Sequence, residues 1–141
     1  MRMLFLSAAA LVAATPALAG DDFYPPVRDP LVIKECGQCH MTYQPGLLPA
    51  ASWQRMMDNL SNHFGDDASL SPEKTAAIRA VLVAGAGRSR HGETPESITT
   101  SRHFLKEHNF PDQVWKRPNV MTKSNCPACH KAAEQGWYED E

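Results

Sequence analysis

Two short stretches constrain this chain more than anything else in it: Cys36-Gly37-Gln38-Cys39-His40 and Cys126-Pro127-Ala128-Cys129-His130. Both read Cys-x-x-Cys-His, the spacing used to attach a c-type haem. Two thiols three positions apart can each add to one vinyl group of the same porphyrin. The histidine that follows then lies under the iron and offers its imidazole as the proximal ligand. The chain has four cysteines, and these two motifs use all of them, so no thiol remains for a structural disulfide.

Two other uses of such pairs are disfavoured. Four thiolates could hold a tetrahedral zinc ion. However, most of the chain separates Cys39 from Cys126, far beyond zinc-ribbon spacing, and zinc does not explain a histidine after each pair. Redox-active dithiols of the thioredoxin kind need a βαβ setting, and this sequence shows almost no strand pattern.

The first 19 residues read as a targeting segment. Arg2 supplies the positive start, Met3 to Ala14 form an apolar run, and Ala17-Leu18-Ala19 is a cleavage site of the A-x-A type. Cleavage near Ala19 and export to a bacterial periplasm are expected, which suits covalent haem attachment outside the cytoplasmic membrane. No second apolar stretch follows, so an integral membrane protein is not expected. With 14 basic and 16 acidic residues the formal net charge is −2, without the basic stripe that nucleic-acid binding needs. The remainder is rich in Pro, Gly, Asn, Ser and charge, and would struggle to build a core alone. The haems are therefore expected to serve as the core.

The fold class expected is all-α: a small cytochrome c-like helical fold around two covalently bound haems, with long irregular loops. Pro25, Pro26 and Pro30 argue against helix before Leu31. Ser52 to Phe64 reads as an amphipathic helix, with Trp53, Met56, Met57 and Leu60 at i, i+3, i+4 and i+7. Ser71 and Pro72 form a good helix start and Gly85 a stop. Between them Ala76, Ala77, Ala80, Val81 and Ala84 make a small-residue face that suits close approach. Residues 85–97 read as a linker, with Arg88 and Arg90 read as solvated rather than as partners of haem propionates. A boundary there gives an N-terminal haem-binding half, residues 20–88, and a C-terminal half, residues 89–141. Thr100 to Asn109 reads as a short helix capped by Thr99 or Thr100, residues 110–119 as irregular with Trp115 packing on a haem, and the second motif as the opening of a last helix.

The chain has six histidines. His40 and His130 are proximal by motif. His63 continues the apolar stripe of its helix and is the first choice as sixth ligand of one iron. His108 is the choice for the other; it shares a helix face with Phe104, whereas His103 points about 140° away. His103 and then His91 stand in reserve. Met56 and Met57 compete with His63, since Met is a common sixth ligand, but flexible core filling suits them better. Met121 ranks below the histidines. Two imidazoles per iron leave no vacant position and favour electron transfer over chemistry at the metal. The alternatives are a dihaem peroxidase-like enzyme or a gas-binding haem sensor, both of which need a displaceable axial ligand.

These residues resemble the small bacterial periplasmic dihaem cytochrome c family, electron carriers with two bis-His c-haems. The resemblance runs from about Tyr24 to Tyr138. It rests on CGQCH, on WQRMMDNLSNHFGDDASLS, on ITTSRHFLKEHNF, and on VWKRPNV and NCPACHKAAEQGWYED. It implies that His63 is the distal ligand of the haem on Cys36 and Cys39, and that His108 is that of the haem on Cys126 and Cys129. His103 departs from the family pattern, which has an aromatic or basic residue there. The resemblance further implies redox partners such as a small monohaem oxygen-binding cytochrome or a membrane b-type cytochrome.

Overall fold

The structure, a computed structural model, describes residues 23–89 and 92–139. The targeting segment, the cleavage site, Arg90, His91 and the last two residues of the acidic tail lie outside the described residues. What is described is all-α, with α-helices joined by 3-10 turns and loops. Strand-like pairing among the described residues is confined to isolated bridges: Phe23 with Trp137, Pro49 with Gly87, and His63 with Asp66.

Helix α1 spans Pro30–Cys36. Pro30 therefore starts a helix instead of excluding one. Its missing N–H falls at a position with no intrahelical acceptor, so nothing is lost there. Asp29 caps the helix by accepting from the N–H groups of Leu31 and Val32 at 2.9 and 3.0 Å. Cys36 is the last helical residue, and the rest of the first motif turns away from the helix end.

Helix α2 spans Ala50–Asp58, shorter than the apolar period suggests. At Asn59 the backbone leaves the helical region, and the Asn59 side chain donates to the carbonyl of Asn62 at 3.3 Å. A side chain that bonds local backbone competes with the helix ladder. A 3-10 turn over Leu60–Asn62 follows. His63 thus sits beyond the helix, not on its stripe.

Helix α3 spans Pro72–Ala84, with Ser71 as cap, Pro72 in first position and Gly85 at the end, as the sequence predicts. Its buried side is another matter. Ile78 and Leu82 are buried, while Ala76, Ala77, Ala80 and Ala84 are exposed. The small-residue face is not the packing face, because the larger aliphatic side chains gain more by leaving water.

Helices α2 and α3 pack against each other, and α1 lies along α3. Val32, Leu48, Trp53, Met57, Ile78 and Leu82 form the buried cluster between them, with Met56 and Leu60 against its edge. The Trp53 indole N–H is satisfied by the Pro45 carbonyl at 2.7 Å. These side chains bury one another, so the N-terminal part has a core of its own side chains where the haems were expected to serve as one. The C-terminal part fits that expectation better. Its buried apolar residues, Phe104, Val120 and Ala133, do not join the cluster.

Helix α4 spans Arg102–Glu107. Its cap is Ser101, not Thr99 or Thr100, because Ile98–Thr100 forms its own 3-10 turn. The Ser101 hydroxyl accepts from the N–H of Phe104 at 3.1 Å and donates to the Ile98 carbonyl at 2.8 Å. Helix α5, Asp112–Trp115, is one turn in a stretch expected to be irregular. The second motif opens no α-helix: Cys126–Ala128 and Ala133–Gln135 are separate 3-10 turns. Residues 85–97 are tied down at both ends. Gly87 N–H bonds the Leu48 carbonyl at 2.9 Å, and Arg55 bonds the Thr94 carbonyl.

Ile78 is completely buried at the centre of the cluster. Ile78→Ala is expected to lower unfolding stability by about 2–5 kcal/mol, the usual cost of such a cavity. Denaturant titration checks this, with the haem absorption of the folded protein unchanged.

Candidate haem centres

The first centre forms where α1 ends. Cys36 closes the helix, Cys39 is exposed on the following turn, and His40 comes next. The His40 Nδ1 lies 2.7 Å from the Met41 carbonyl oxygen. A carbonyl only accepts, so Nδ1 carries the proton and Nε2 keeps its lone pair for a metal. The ring stacks on Tyr43 with centroids 4.7 Å apart.

His63 faces it. The turn after the Leu60–Asn62 segment is closed by bonds between His63 and Asp66, and Phe64 takes a left-handed backbone with φ of 56°. The His63 and His40 centroids are 6.2 Å apart, with the ring planes at 30°. Burial, and then the proximity of His40, lowers the His63 pKa against a smaller opposing effect from Asp66. Both main causes favour the neutral ring that a metal requires.

The second centre lies along a cavity of about 1190 Å³ lined by Cys126, Cys129, His130 and His108, with Phe104 and Trp115 among its apolar wall. It exceeds the ~300–1,000 Å³ of ordinary small-molecule pockets. His108 follows the last residue of α4, and its Nδ1 donates to the Phe104 carbonyl at 3.1 Å. Its tautomer is therefore set in the same way as that of His40. The His108 ring also stacks on the Phe104 ring at 4.1 Å and 6°. Trp115 and Phe110 pack around it at 6.3 and 6.0 Å. The His108 and His130 centroids are 5.9 Å apart, with planes at 69°.

Two imidazoles on opposite sides of one metal ion, each bonded at about 2 Å, have ring centroids roughly 6 Å apart. Both pairs meet that spacing. Among the described residues no three His, Cys, Asp or Glu side chains converge as a bare metal site. A lone ion would lack ligands here, whereas an iron whose equatorial positions are filled by a porphyrin needs only the two axial ones. The residues present fit haem.

The other candidates fall elsewhere. Met57 is in the core, Met56 packs against it, and Met121 is 76 % exposed. His103 is exposed and also lines the second cavity, but among the described residues no ring contact places it opposite His130 as His108 is. Trp115 does line the second cavity.

As free thiols Cys36 and Cys126 are pushed up, Cys126 to about 11, chiefly by burial. The thiolate is the reactive form, and burial disfavours it at both positions. Sequence reasoning missed Tyr43 and Tyr138, whose rings pack on the motif histidines, and Gln44, which bonds Tyr138. Nothing but their nearness to the motifs singles them out.

A sequence model of the dihaem cytochrome c family matches residues 32–138. The chain belongs to the dihaem cytochrome c family. Such a cytochrome holds two c-type haems and works as a haem-based electron carrier. Solved structures agree with the assignment. DHC purified from Rhodobacter sphaeroides is 40% identical with a TM-score of 0.71, over 79% of this chain and 98% of that one. A diheme cytochrome c from the same organism is 38% identical with a TM-score of 0.71, over 80% and 98%. The diheme cytochrome type c of Shewanella baltica OS155 is 38% identical with a TM-score of 0.69, over 78% and 86%. No curated protein matches the chain significantly.

The purified cytochrome is expected to carry two haems that resist acid extraction, each linked by two thioethers. Pyridine haemochrome quantitation and intact mass check this; one haem per chain, or bound zinc, contradicts it.

Proposed function

We propose that this dihaem cytochrome is a periplasmic carrier of single electrons whose two haems are both bis-His. His40 and His63 would hold the iron of a haem linked to Cys36 and Cys39, and His130 and His108 would hold that of a haem linked to Cys126 and Cys129. The observation that carries this reading is the spacing of the two imidazole pairs, 6.2 and 5.9 Å.

Each bound haem supplies an iron that cycles between ferric and ferrous states. The chain does the rest by holding still. His40 and His108 are fixed at Nδ1 by backbone carbonyls, so Nε2 is presented without rearrangement. Phe104, Phe110 and Trp115 clamp the His108 ring from several directions. Preorganised groups need no reorganisation when charge changes beside them, which is what fast single-electron exchange requires. A closed axial set also leaves no position for oxygen or peroxide, so the reading is of a carrier and not an enzyme.

Among the described residues no helix is long and apolar enough to cross a membrane. The first 19 residues serve, in this reading, as a signal peptide cleaved near Ala19, and each of the stretches 20–88 and 89–141 supplies one motif and one distal histidine. Redox proteins are the partners: a small monohaem oxygen-binding cytochrome, or a membrane b-type cytochrome.

The reduced protein is expected to bind carbon monoxide weakly or not at all, and the ferric protein to lack the far-red sulfur-to-iron band of Met ligation. His108→Ala should turn the second haem high-spin and open it to carbon monoxide while the first stays low-spin, and His63→Ala should do the converse. Magnetic resonance of the two variants decides the assignment. A wholly low-spin His108→Ala protein beside a partly high-spin His103→Ala protein would replace His108 by His103.

A further inference from the structure

The two centres share a wall. Tyr43 and Gln44 are consecutive residues just after the first motif. Tyr43 stacks on His40, and its hydroxyl donates to the Ser124 carbonyl at 2.6 Å, two residues before Cys126. Gln44 is completely buried, and its side-chain amide is used at both ends. The Nε2 donates to the Ala133 carbonyl at 2.8 Å, and Oε1 accepts the hydroxyl of Tyr138 at 2.5 Å. The Tyr138 ring lies 5.5 Å from that of His130 and edge-on to Tyr24 at 5.7 Å. The path from His40 to His130 thus runs through the Tyr43 ring, the backbone joining Tyr43 to Gln44, the Gln44 amide and the Tyr138 ring.

A buried amide is a costly way to fill space, because each polar atom must find a partner of the right kind. Where all are satisfied, as here, such a network fixes one arrangement of the groups around it. What sets this network apart from an ordinary polar core is where it ends: each phenol ring packs on a motif histidine.

We propose that Tyr43, Gln44 and Tyr138 are positioning residues that hold the His40 and His130 rings in one frame, so that the orientation of either imidazole depends on contacts around the other. The inference rests on the axial ligand set proposed above. It concerns the cytochrome's electronic properties, because the planes of the axial imidazoles relative to each other set the ligand field of a low-spin iron. The pair at 30° should give a rhombic ferric signal, and the pair at 69° a more axial one with a larger maximum g value. The two centres are then distinguishable in one spectrum.

The test uses the full haem-loaded protein with Tyr138→Phe, which keeps the ring beside His130 and removes only the hydroxyl on Gln44. Frozen-solution electron paramagnetic resonance and a potentiometric titration are recorded for wild type and variant. Both centres should stay six-coordinate and low-spin, while the g values and midpoint potential of the His40–His63 centre shift, although of the two motif histidines the altered side chain packs on His130 alone. Tyr43→Phe keeps the stack on His40 and drops the bond to Ser124; it should shift the His108–His130 centre. Effects confined to the locally touched centre in both variants, or none in either, overturn the proposal and leave the ligand set standing. A wild-type spectrum without two low-spin signals brings down the ligand set and this inference together.

Discussion

Two imidazole pairs, each with its ring centroids about 6 Å apart, are the dimension around which the rest of this fold is arranged. Neither pair is built from within a helix. His40 follows the turn after α1, His63 sits in a turn after α2, His108 follows α4, and His130 lies between two 3-10 turns. Helix ends suit the task, since the chain can change direction there and offer carbonyls that lack helical partners. The carbonyl of Phe104 accepts both the backbone N–H of His108 and its ring Nδ1–H, and the second bond fixes the proton on His108. The local backbone is bent to reach the spacing. Phe64, beside His63, and Met121, shortly before the second motif, are the described non-glycine residues with positive φ. A left-handed conformation costs an L-residue about 1–2 kcal/mol, and such strain gathers where geometry is dictated by function.

The two ends of the chain meet these demands with unequal means. Around the first centre, α1, α2 and α3 enclose an apolar cluster that stands on its own. Around the second, the chain offers short turns, a wide cavity and three buried apolar residues that do not join one another in that cluster. A segment with so little buried apolar surface cannot offset the entropy of ordering its backbone. It depends on what it borrows: the haem, and the contacts from Tyr24, Tyr43 and Gln44. Gly136 marks one of those contacts. Its carbonyl accepts from the Tyr24 N–H at 2.8 Å, its φ is +90°, and any Cβ there would collide with the Tyr24 carbonyl.

Much of this was legible in the sequence because the haem chemistry is written in contiguous residues. Cys-x-x-Cys-His names its cofactor in five positions, and Ser71, Pro72 and Gly85 set the limits of α3 by local sterics and hydrogen bonding alone. The all-α class was legible too, from the helix signals and the lack of strand pattern. What was hidden follows from competition between local and tertiary terms. The apolar period through His63 continues on paper, but Asn59 diverts the backbone before it gets there. The alanine face of α3 looks suited to packing, but Ile78 and Leu82 have more surface to bury. Pro30 reads as a breaker until Asp29 supplies the cap that makes it a first helical residue. The partnership of Gln44 with Ala133 and Tyr138 spans the length of the chain, and no local pattern announces it.

A carrier of single electrons has to keep the same ligands in the same places in both oxidation states. Tight binding of one state is no advantage to it, since stabilising one state only shifts the potential and does nothing for the rate. What lowers the barrier is a site that need not rearrange. A chain this short has few ways to make two such sites rigid, and building two independent cores is not one of them. Sharing a wall is. Placing the motif histidines on the two sides of one satisfied polar network lets the stronger N-terminal core stiffen both centres. The polar groups of that wall are then no defect of a small core. They are directional where apolar contacts are not, and direction is what an imidazole plane needs.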